Sequence, residues 1–60
     1  MKTMHIMGWR VNDTTIHHIN IYTATGDSKE YAISLAKRKL EKIYNSVNEL
    51  VTYSSKTVED

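Results

Sequence analysis

Two stretches of this chain, residues 3–11 and 15–23, are dense in Ile, Val, Thr, Tyr and Trp. These are the side chains that fit a pleated, half-buried surface. Asn12-Asp13 between them supplies residue types that turn a chain back on itself, so the two stretches predict a β-hairpin. Thr25-Gly26 closes the second strand, and Asp27 reads as a helix N-cap, with Glu30 three residues on in a capping-box relation. From there Ala32, Leu35, Ala36, Leu40, Ile43 and Val47 recur at steps of three and four. That spacing predicts the apolar stripe of one helix, about eighteen residues long. Asn45, Ser46 and Asn48 weaken helical continuation and place its end near residues 44–47. Leu50-Val51-Thr52-Tyr53 resumes strand character and predicts a third strand running on towards Val58. The expected fold class is α+β: a small antiparallel sheet of about three strands in ββαβ order, with one α-helix packed on one face.

Side chains alternate faces along a strand, so the length of the hairpin turn decides which residues share a face. With Asn12-Asp13 as a two-residue loop, Ile6 faces Ile19, Met4 faces Ile21 and Gly8 lies opposite His17. That face suits the helix stripe as a core. The other face then pairs Met7 with His18 and Trp9 with Ile16, with His5 and Tyr22 nearby. One helix covers one face of such a sheet, and an ordinary solvent-facing sheet surface is polar. A second face carrying Met7, Trp9, Ile16 and Tyr22 therefore reads as a docking surface, because apolar patches rimmed by polar groups mark interaction sites and Trp and Tyr are enriched among interface hot spots.

Size sharpens this reading. Sixty residues make a single domain spanning 1–60, and a chain this short buries only about 60% of the surface it exposes unfolded. Disulfides or a structural metal commonly compensate. With no cysteine, disulfides and thiolate zinc sites are excluded, which leaves a compact core or a partner. An apolar fraction of 40% and a charged fraction of 25% are those of a globular domain. A net charge of +1 gives no general attraction to nucleic acid or anionic membrane. The run Met4-His5-Ile6-Met7, broken by Gly8 and Arg10, is too short for a secretory leader or a membrane span. The expected address is the cytoplasm, so the Asn12-Asp13-Thr14 sequon carries no weight.

No catalytic or metal-binding constellation assembles from this sequence. His17 and His18 are adjacent and point to opposite faces of a strand; His5 and His18 share a face in the two-residue-turn register but do not oppose one another. No nucleophile-elbow, H-E-x-x-H or phosphate-loop pattern occurs. The expectation is a non-enzyme without metal or cofactor. Lys37, Arg38, Lys39 and Lys42 could serve a small nucleic-acid-binding protein gripping phosphates through its helix. Glu41 dilutes that patch, and cations suit the C-terminal half of any helix. Tyr44 reads as core edge. Tyr31, in the first helical turn, is a further candidate for partner contact.

Several features coincide with a known family. The chain is about the right length, opens on Ile6-Met7-Gly8-Trp9, turns at Asn12-Asp13, and starts its helix after Asp27 with an aromatic, Tyr31, ahead of Ala32. It resembles the discriminator-of-mRNA-degradation (Dmd) antitoxins of T-even-type bacteriophages. Arg10 and Tyr31 depart from the aromatic and the Trp of that family's pattern, and the C-terminal strand lacks its cysteines. The resemblance implies a protein that binds and inhibits a host endoribonuclease toxin of RnlA or LsoA type in the infected bacterial cytoplasm. It would thereby protect phage mRNA. The partner-binding candidates are Met7, Trp9, Ile16, Tyr22 and Tyr31. A homodimer that buries the sheet face on itself is a third reading.

Overall fold

The structure, a computed structural model, describes residues 1–26 and 28–59. Three strands and a helix follow in ββαβ order: β1 (Lys2–Val11), β2 (Thr15–Ala24), α1 (Lys29–Glu41) and β3 (Val47–Val58). The sheet is antiparallel with spatial order β2-β1-β3, so the first strand is central and the last returns beside it. This is the α+β arrangement that the hydrophobic pattern predicts.

The hairpin turns where expected but not with the expected length. Asn12 and Asp13 both take positive φ, 51° and 65°, a conformation that Asn and Asp tolerate better than most residues. Their amides are not spent across the hairpin. The Asn12 N–H donates to the Ser46 carbonyl at 2.9 Å and the Asp13 N–H to Asn48 Oδ1 at 3.0 Å, so the start of β3 holds the turn. Thr14 joins the loop, and pairing begins at Val11 opposite Thr15.

A three-residue loop shifts β1 by one position against β2, and a shift of one residue reverses a strand's faces. Ile19 now lies opposite Met7, Ile21 opposite His5 and His17 opposite Trp9. β2 keeps the faces read from sequence, whereas those of β1 are exchanged. Met7, Trp9 and Val11 join Ile21, Ala32, Ala36 and Leu40 in the core, with Ile19, Leu35, Tyr44, Leu50 and Tyr53 packed around them. Met4, Ile6 and Gly8, expected to face the helix, lie on the other side.

The helix is shorter than its apolar stripe suggests, ending at Glu41. Its N-cap is Ser28, whose Oγ accepts the Tyr31 N–H at 3.2 Å; Asp27, expected in that role, lies outside the described residues. Ala32, Ala36 and Leu40 form the buried line of α1. After it, the N–H groups of Ile43 and Tyr44 both donate to the Leu40 carbonyl, at 3.0 and 2.8 Å. That tight turn leaves Ile43 exposed and lets Tyr44 fold back so that its hydroxyl meets His17 Nδ1 at 2.7 Å. β3 starts earlier than expected, at Val47, and reaches Val58.

Candidate interaction surface

The face of the sheet opposite α1 is assembled from four rows of residues. From one end to the other they are Ile16 beside Arg10; His18, Gly8 and Thr52; Asn20, Ile6 and Ser54; and Tyr22, Met4 and Lys56. In each full row the β1 residue lies between its β2 and β3 partners. Among the described residues no helix covers these rows: α1 packs on the opposite face, over Met7, Trp9 and Val11. Ile16 is 40% exposed and Tyr22 55%, while Met4 and Ile6 are half-buried by their neighbours in the sheet.

The polar rim has its own order. Arg10 Nε donates to Glu49 Oε1 at 2.8 Å across the β1–β3 seam. Both side chains are open to solvent, so this pair orients more than it stabilises. In the second row the side chains of His18 and Thr52 close over Gly8. A Cβ built there would lie 2.6 Å from Thr52 Oγ1 and 3.4 Å from the His18 ring. The β1–β3 ladder slips between Gly8 and Trp9 and again between Trp9 and Val11, so the pairing is irregular at this end of the face.

Of the five residues expected to touch a partner, the structure keeps two on this face, Ile16 and Tyr22. Met7 is fully buried and Trp9 is 4% exposed, both beneath α1. Neither can meet a partner without unfolding, and the three-residue turn is the reason. Tyr31 is 52% exposed but belongs to α1, on the other side of the sheet. Two surface residues that the sequence hid are Met4 and Ile6. Their signal was the company they keep: on β1 the alternate set Met4, Ile6, Gly8 and Arg10 includes a glycine and an arginine. The set His5, Met7, Trp9 and Val11 is the bulkier and more apolar.

The histidines separate completely. His18 is exposed on the outer face and His17 half-buried on the inner one. His5, expected to share a face with His18, is instead buried beneath the helix side of the sheet. Its Nδ1 lies 2.8 Å from the Tyr53 hydroxyl and its Nε2 2.9 Å from Thr23 Oγ1. The imidazole thus ties all three strands together through the core, and Lys29 Nζ sits 4.5 Å from the Tyr53 ring centroid above it. Among the described residues no three His, Asp or Glu side chains converge as metal ligands. No helix among them is long and apolar enough to cross a membrane.

Compared with protein-family models, with curated proteins and with solved structures, the chain matches none of them.

Proposed function

We propose that this chain is an antitoxin of the Dmd kind. In this reading it docks on a host endoribonuclease toxin of RnlA or LsoA type in the cytoplasm of an infected bacterium, and blocks degradation of phage mRNA. The observation that carries the reading is the uncovered sheet face. Met4, Ile6 and Tyr22 gather there towards one end, Ile16 stands at the other end of β2 beyond His18 and Asn20, and Arg10, Thr52, Ser54 and Lys56 add polar groups on β1 and β3. Large apolar side chains left uncovered beside polar ones mark interaction surfaces. Tyr22 supplies the type of rigid, amphipathic anchor that carries binding energy. The Ile6-Met7-Gly8-Trp9 segment and the Asn12-Asp13 turn support the family assignment. Within this reading Met7 and Trp9 hold the sheet in shape, and the contacts to toxin come from the even-numbered residues of β1 and β2, with Tyr31 at the start of α1 a further contact. The chain acts by occupying a surface and carries out no chemistry of its own.

Co-expression with an RnlA-type toxin tests the proposal: cells should regain growth, and the two proteins should purify together. Toxicity undiminished by an abundant, folded chain would refute it.

A second reading rests on the helix. Lys37, Arg38, Lys39 and Lys42 are all exposed and could follow a phosphate backbone. Salt separates the two readings. Phosphate binding through several contacts should weaken about 1,000-fold or more between about 50 and 200 mM salt, whereas an apolar protein interface should hardly respond.

A further inference from the structure

Two strands border the sheet, and they are built differently. The pairing of β3 with β1 slips twice, and β3 carries Glu49 and Lys56. Bulges and charges are the devices by which proteins keep a sheet edge from pairing with a foreign strand. β2 has neither. Its sequence, TIHHINIYTA, contains no Lys, Arg, Asp, Glu, Pro or Gly. Its ladder with β1 runs unbroken from Lys2 opposite Ala24 to Val11 opposite Thr15. Among the described residues β2 is the end of the sheet on its far side, so alternate residues direct N–H and C=O groups away from β1 with no strand there to receive them.

We propose that this edge pairs antiparallel with β2 of a second copy of the chain, joining two three-stranded sheets into one continuous six-stranded sheet about a two-fold axis. Symmetry restricts the register. Outward-directed backbone groups occur on every second residue, and side chains alternate faces with the same period. Opposed residues must therefore share parity, or hydrogen bonds and faces both fail. Pairing that sets Thr15 against Ala24 over the whole strand breaks this rule. The two longest registers that obey it place either Ile19 or Asn20 against its own copy.

The Ile19-centred register sets Ile16 of each copy against Tyr22 of the other, and Thr15 against Thr23. Ile16 and Tyr22 are the large exposed apolar residues of β2. Aromatic against β-branched is a favourable cross-strand pair, and it forms twice, once on each side of the axis. The Asn20-centred register instead spends Ile16 on Ala24 and Tyr22 on His18. Because β2 carries no Lys, Arg, Asp or Glu, neither register opposes such charges, but only the first sets the two exposed apolar side chains against each other. This edge pairing is independent of the toxin-binding reading and differs from a dimer that stacks sheet faces.

Sedimentation equilibrium of the purified chain, from micromolar to millimolar concentration, tests the proposal without any toxin. The expected result is a reversible monomer–dimer equilibrium. Ile16→Glu with Tyr22→Glu opposes like charges at both seam positions and should raise the dimer dissociation constant about tenfold or more. Ile16→Lys with Tyr22→Glu opposes unlike charges at the same exposed sites and should restore association. Circular dichroism of both variants reports whether the monomer fold is kept. A chain that stays monomeric throughout would overturn the proposal. So would a dimer indifferent to the paired glutamates, or a Lys/Glu variant that associates no better than the Glu/Glu one.

Discussion

Trp9 stands directly across from His17, on the face of the sheet that α1 covers. Had the hairpin turned on two residues, Trp9 would face Ile16 and lie in solvent. The difference is Thr14, one residue, and it decides which side of β1 is core and which is surface. The Asn12 and Asp13 amides given to Ser46 and Asn48 hold the longer turn in place.

Burial of Trp9 makes its indole a reporter of the fold. The free protein should emit at the blue wavelengths of a dry indole, shifting red only on unfolding. Trp9→Ala should cost about 3–5 kcal/mol, enough to unfold much of a domain this small. Trp9→Phe should cost far less, since Trp9 Nε1 is buried without a hydrogen-bond partner and phenylalanine removes that donor. Emission typical of hydrated indole in the folded state would contradict the buried placement.

The His5 bridge between Thr23 and Tyr53 should count towards stability. Thr23→Val and Tyr53→Phe each leave one ring nitrogen of a buried imidazole without its hydroxyl. Each should lower unfolding stability by about 1–3 kcal/mol, read from urea midpoints at constant slope. An unchanged midpoint for both would mean that the bridge contributes nothing.

Gly8 should be intolerant of a side chain because of Thr52. A Cβ added to Gly8 would come within 2.6 Å of Thr52 Oγ1, so Gly8→Ala forces the threonine or its strand to move. The expected cost is about 1–3 kcal/mol, as for other overpacked sites. Adding Thr52→Ala should recover part of it, a coupling that a double-mutant cycle measures directly. Strictly additive effects would show that the two positions do not meet.

Much of this fold is written in local pattern. The strand-like composition of β1 and β2, the turn residues Asn12 and Asp13, and the line Ala32, Ala36 and Leu40 place the hairpin and the helix. The faces of β2 also follow from sequence. What local pattern does not contain is a long-range fact: Ser46 and Asn48, more than thirty residues away, capture the turn amides and so set the loop length. Without that fact β1 comes out inverted, with Met7 and Trp9 on the surface and Met4 and Ile6 in the core. The His5 bridge is hidden for a similar reason, because Thr23 and Tyr53 come within reach only once three strands align. The end of α1 escapes local pattern because Ile43 keeps the helical spacing yet points to solvent.

The two ends of α1 should respond differently to substitution. Tyr31→Ala, at an exposed position in the first turn of α1, should weaken toxin binding without lowering the melting temperature. Its exposure and the matching aromatic of the family it resembles motivate this. Arg38→Ala with Lys42→Ala should leave neutralisation nearly intact, because isolated exposed charges contribute little. Growth rescue and circular dichroism check both. Loss of rescue by the Arg38/Lys42 variant with its fold preserved would move the binding surface to the basic helix.

Hydroxyl-radical footprinting of the chain, alone and with an RnlA-type toxin, addresses the outer sheet face most directly, since it reads side-chain accessibility residue by residue. The expected result is that Met4 and Tyr22 react readily in the free protein and are shielded in the complex, while Met7 and Trp9 are protected in both. Met4 and Tyr22 reacting at the same rate with and without bound toxin would contradict docking through this face.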